Sequence, residues 1–146
     1  MKTIETIAIA NDHGGLALKL ELLKLLQAAG YKVIDFGSGT DDAVDYPDYA
    51  ELAVAAVQNG QADAGLLICG SGIGMSMAAN RHKGIRAALC HDTYTAGLTR
   101  EHNDANVLVM GGRIVGVGLA AEIARIFFST PFSHAERHVR RIGKFV

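Results

Sequence analysis

Short apolar runs alternate with longer amphipathic ones along the whole chain, and that alternation limits the possible folds more than any single motif does. TIAIA (6–10), KVIDF (32–36), AGLLIC (64–69), IRAALC (85–90) and NVLVM (106–110) read as strands. Between them lie LALKLELLKLLQAAG (16–30), DYPDYAELAVAAVQNG (45–60), a helix opening near Gly72 and HDTYTAGLTREHN (91–103). GVGLAAEIARIFF (116–128) follows as a helix, and after Pro131 the polar HAERHVRRIGKF (134–145) reads as a last one. AGLLIC is apolar on both faces, as a central parallel strand must be when helices cover both sides of its sheet. Repeated β–α units of this size predict a three-layer α/β/α, Rossmann-like domain spanning 1–146. Its sheet has five parallel strands, and an extra helix closes the chain.

Local signals refine this. Leu18, Leu22, Leu25 and Leu26 share one helical face, with Glu21, Lys24 and Gln27 opposite and Gly30 at the end. Asp45 is placed as an N-cap, with Pro47 in the first turn. The 146 residues suffice for a full core. A net charge of −1, from 14 basic against 15 acidic residues, gives no electrostatic case for nucleic-acid binding. No apolar run reaches the ~20 residues of a membrane span. The opening MKTIETIAIANDHGG lacks a secretory apolar core, so a cytoplasmic enzyme or binding domain is expected. The two cysteines, Cys69 and Cys90, make no disulfide framework and no CxxC pair.

Parallel α/β sheets bind ligands beyond the carboxyl ends of their strands. The segments there are NDHGG, GSGT, CGSGIG, CHDT and MGGR. In CGSGIG, Gly70, Gly72 and Gly74 allow a tight turn and close approach to a ligand, with N–H groups converging at a helix start. The spacing is not that of a dinucleotide fingerprint, although Asp92 lies about twenty residues on. It is not a P-loop, because no Lys-Ser/Thr follows. Cys69 at its lip suits a thiolate, as nucleophile or general base, or else a small buried strand residue. Cys90 has no such turn after it and reads as core.

In REHNDANVL, His102 and Asn103 suit an acid–base group beside an amide, or a structural helix end. Asp12 suits sugar hydroxyls and His13 a phosphate, or else Asn11 or Asp12 simply caps the first helix. Tyr46 alone suggests packing. Arg137 and Arg141, at i and i+4, suit a phosphate dianion or a solvated tail, and Arg113 is a third available cation. Metal binding is the poorest reading of the six histidines and two cysteines, which include no CxxC pair.

Taken together, DHGG, DYPDYA, CGSGIG, HND, GGR and RHVRR resemble, in order and spacing, the type B ribose-5-phosphate isomerases. That group is akin to the galactose- and allose-6-phosphate isomerases. The resemblance runs from about residue 6 to residue 142. It implies a cofactor-free aldose–ketose isomerase of the pentose phosphate pathway, with no metal. It also implies a homodimer or tetramer with its site at the subunit interface, and a terminal helix packed on the partner. By the same analogy Cys69 is the base and His102 opens the sugar ring. Ser71 shares a proton with the substrate oxygens. Amides of Gly70, Ser71, Gly72, Ile73 and Gly74 stabilise the cis-enediolate. Asn103, Asp12 and Tyr46 hold hydroxyls, and His13, Arg113, Arg137 and Arg141 grip the phosphate. Three rivals remain: a hexose 6-phosphate isomerase, a non-catalytic phosphosugar or nucleotide-binding module, and a redox protein pairing Cys69 with Cys90.

Overall fold

The computed structural model describes residues 3–145. Five strands form one parallel sheet: β1 (Thr6–Asn11), β2 (Lys32–Asp35), β3 (Ala64–Cys69), β4 (Ala87–Leu89) and β5 (Val107–Gly111). Their order across the sheet is β2-β1-β3-β5-β4. Six α-helices accompany them: α1 (Leu16–Ala28), α2 (Tyr46–Gln58), α3 (Ile73–Ala79), α4 (Thr93–Asn103), α5 (Val117–Ser129) and α6 (Glu136–Ile142). A 3-10 turn over His13–Gly15 precedes α1.

Every residue of β3 is buried, as expected for the central strand. Alternate residues of the strands feed two cores. Ile7, Ile9, Leu66, Ile68, Leu108 and Met110 face α1, α4 and α5, against Leu22, Ala96, Ile123 and Phe127. Ala8, Ala10, Leu67, Val107 and Val109 face α2 and α3, against Ala53, Val54, Met75 and Ala79. The small strand residues of the second face let α2 and α3 come close to the sheet.

Three local expectations need correction. Leu25 is exposed, whereas Lys19 is buried on the apolar face of α1, where its ammonium meets Asp35. Asp45 stands at the N-cap of α2 but its side chain makes no capping bond; its carbonyl instead accepts from the Asp48 N–H. The last helix begins at Glu136 rather than 134, because His134 sits at φ +55, outside the helical region. The Ser133 hydroxyl then accepts the Ala135 N–H at 3.2 Å, just ahead of the first turn.

The chain leaves β1 toward β2 on one side and later returns to β3 on the other. The strand order therefore reverses between β1 and β3, and a crevice opens at their carboxyl ends.

Candidate active site

Three loops meet at that crevice. A side chain on Gly14 would come within 2.9 Å of the Gly70 nitrogen, and one on Gly112 within 2.7 Å of the Gly14 carbonyl. Gly112 donates to the Cys69 carbonyl at 2.8 Å and Arg113 to the Gly70 carbonyl at 3.0 Å. The segment after β5 is thus tied to the segment after β3. The Arg113 guanidinium lies directly over Gly70, 3.2 Å from where a Cβ would stand.

Cys69, the last residue of β3, is buried, and its Sγ accepts the Gly72 N–H at 3.2 Å. That bond closes the turn, and Gly72 makes it possible at φ +79, a conformation L side chains rarely adopt. The Ser71 hydroxyl accepts the Ile73 N–H at 3.2 Å. Two of the five amides expected to face an oxyanion are therefore directed at Sγ and at Oγ. Among the described residues, the Gly70 and Ser71 amides have no protein acceptor. Gly74 opens against Tyr46, whose ring carbon Cζ would lie 2.5 Å from a Cβ there. Tyr46, the first residue of α2, is thereby laid across the start of α3.

Asp12 is buried and caps the 3-10 turn, accepting the Gly14 N–H at 2.9 Å. The capping reading thus holds for one carboxylate oxygen, Oδ1. His13 Nδ1 accepts the Val44 N–H at 3.2 Å, so its neutral ring carries the proton on Nε2. Asp12, His13, Tyr46, Cys69, the loop Gly70–Gly74 and Arg113 therefore share one edge of the sheet.

His102, Asn103, Arg137 and Arg141 do not join them. Cys69 pairs in register with Gly111, and Gly65 with Val107. His102 and Asn103 end α4 just before Val107, so they sit at the amino edge, about 13 Å of strand rise from the Cys69 level. The Asn103 carbonyl is fixed there by Arg86 Nε at 3.1 Å. α6 docks on the same place in its own chain, with Ser133 N–H donating to the Glu101 carbonyl and the His102 and His138 rings 4.3 Å apart. The Ser133 hydroxyl and His138 Nδ1 share a 2.8 Å hydrogen bond. Arg137 and Arg141 stay exposed. A cavity of about 610 Å³ also opens at this edge, lined by Tyr31, Arg100, Phe128, Phe132 and His134. Its guanidinium is engaged by Asp104 and by the Thr130 and Ala105 carbonyls.

The cysteines answer the redox rival. Cys69 packs with α2 and α3, Cys90 in the opposite core. Strand β5 separates their strands, about 10 Å of sheet where a disulfide spans less than about 7 Å between Cα atoms. Burial pushes the Cys90 thiol up to about 11. Among the described residues no three His, Cys, Asp or Glu side chains are grouped to hold a metal. No helix there is long and apolar enough to cross a membrane.

Sequence reasoning passed over Lys19 and His138, and weighed Asn11 only as a cap of the first helix, whereas its amide donates to the Asp12 and Ser38 carbonyls. Lys19 had a signal, since it falls at i, i+3 and i+7 with Leu22 and Leu26. His138 lies inside the quoted RHVRR, but nothing in the sequence pairs it with His102.

Comparison with known proteins fits this geometry. The ribose/galactose isomerase family model matches residues 7–145. YwlF, a provisionally named sugar phosphate isomerase of Bacillus subtilis, is 51% identical, over 94% of this chain and 93% of its own. Ribose-5-phosphate isomerase B of Escherichia coli is 42% identical, over 95% and 93%. The structure of the Thermotoga maritima ribose 5-phosphate isomerase superposes with a TM-score of 0.94 at 48% identity, covering 97% of each chain. With nearly its full length and its overall fold in common with these proteins, the chain is a member of the ribose/galactose isomerase family, a sugar phosphate isomerase.

Proposed function

We propose that the protein interconverts ribose 5-phosphate and ribulose 5-phosphate without a cofactor, in the non-oxidative pentose phosphate pathway of the cytoplasm. One observation carries the chemistry. The Cys69 sulfur sits at the topological switch point, held by the Gly72 amide beside the Gly70 and Ser71 amides. The Cys69 thiolate takes the C2 proton of the open-chain aldose and returns it to C1. The negative charge passes to oxygen as a cis-enediolate, where each well-placed amide is worth ~3 kcal/mol. Ser71 moves the proton between O1 and O2, and Asp12 and Tyr46 hold hydroxyls. His13 and Arg113 bind the phosphate, which positions C2 against the base.

The division of the residues between two edges supports a dimer as the active unit. In one chain His102 and Cys69 stand apart. A second copy bringing its amino edge to this crevice supplies His102 for ring opening, Asn103 for a hydroxyl, and Arg137 and Arg141 for the phosphate. α6, docked on its own α4, then serves as the arm that presents those arginines.

The test is kcat/KM, with EDTA present, for ribose 5-phosphate, allose 6-phosphate and galactose 6-phosphate. A clear preference for ribose 5-phosphate supports the proposal. A preference for either hexose phosphate replaces the substrate, and binding without turnover of any of them replaces the enzyme by a binding module.

A further inference from the structure

Lys19 is unusual because its side chain is 3% exposed although it carries a charge. Its Nζ donates to Asp35 Oδ2 at 2.7 Å and to the Ser38 carbonyl at 3.4 Å. Replacing a buried ion pair by apolar residues is often neutral or stabilising, so stability alone is a weak reason for one. What these bonds hold is more telling. The Ser38 carbonyl also accepts Asn11 Nδ2 at 3.1 Å, and the same amide donates to the Asp12 carbonyl at 2.8 Å. Ser38 N–H returns a bond to the Asn11 carbonyl, and Asp35 Oδ1 takes the Gly37 N–H at 2.9 Å. Asn11 Oδ1, fully buried, has no donor among the described residues, so the Asn11 side chain is oriented through its nitrogen alone.

The start of the connection between β2 and α2, residues 36–40, is thus fixed from behind by Lys19 and Asn11. Its far end touches the site, where the Val44 N–H meets His13 Nδ1. That donor forces the His13 proton onto Nε2, the nitrogen left to meet an anion. Without it, the ring is free to take either tautomer and to rotate.

We propose that Lys19, paired with Asp35, is a positioning residue that holds the 36–45 connection in place and through Val44 fixes the tautomer of His13. This rests on the reading of His13 as a phosphate ligand only where kinetics are concerned; the tautomer itself is a property of the folded chain.

The experiment is long-range 1H–15N NMR of the histidine rings, with sugar phosphate kinetics, for wild type, Lys19→Met and Lys19→Arg. In wild type the neutral His13 ring is a single species protonated on Nε2. In Lys19→Met it becomes a mixture, and KM for ribose 5-phosphate rises about tenfold with little change in kcat, the loss of one charge-assisted hydrogen bond. Lys19→Arg restores most of both. An unchanged His13 ring in Lys19→Met, with only a lower melting temperature, overturns the proposal. If Lys19→Met does not fold, Asp35→Asn decides by the same two readouts. If wild type turns over no sugar phosphate, the functional reading fails while the tautomer still judges the role of Lys19.

Discussion

The Gly72 N–H points at the Cys69 sulfur, 3.2 Å away, from a backbone conformation that favours glycine. The turn therefore serves the thiol directly, which explains a cysteine at the lip of a glycine-rich loop. Cys69→Ala removes one small group and one weak hydrogen bond, so the fold survives. It also removes the proposed base, and kcat is expected to fall about 10³-fold, within the usual range for general-base catalysis. Binding of ribose 5-phosphate, followed by calorimetry, is expected to persist. Near-normal turnover in Cys69→Ala moves the base to another residue.

Gly74→Ala sets two effects against each other. A helix gains up to about 1 kcal/mol when glycine becomes alanine. The new Cβ would stand 2.5 Å from the Tyr46 ring, and such overpacking costs about 1–3 kcal/mol. The variant is expected to be less stable in urea and to raise KM as the ring is displaced. Adding Tyr46→Ala recovers the lost stability. Equal destabilisation by Gly74→Ala with and without Tyr46 contradicts this contact.

His138 makes stability depend on pH. Burial holds its imidazole below the usual range, and His102, Arg137 and Arg141 push the same way. The unfolded ring titrates near 6.5, about the ordinary value. On acidification the unfolded chain takes a proton that the folded chain refuses, so this contribution is lost as pH falls through that value. Between about pH 7.5 and about pH 5, the melting temperature of wild type is expected to drop further than that of His138→Asn. Parallel curves rule out His138 as the titrating group.

The layers, the parallel sheet and the central place of β3 were legible because each rests on local hydrophobic pattern. The crevice was legible in outline because strand ends mark it. Lys19 was missed because its partners, Asp35 and Ser38, come from another element. Asp45 reads as a cap from its type, and it stands at the N-cap, but its side chain makes no capping bond in the folded loop. The separation of His102 from Cys69 depends on which edge α4 ends at, and no motif encodes that. The motif order alone places these residues in one site, and the topology divides them between two edges of one chain.

That division gives the most direct test. Cys69→Ala and His102→Ala are purified separately, each with little activity on ribose 5-phosphate, then mixed in equal amounts under conditions that exchange subunits. A site shared between two chains predicts recovery toward about a quarter of wild-type activity, because half the dimers are mixed and each mixed dimer carries one intact site of two. Activity that stays at the sum of the separate variants, with exchange shown by mass spectrometry, contradicts a shared site.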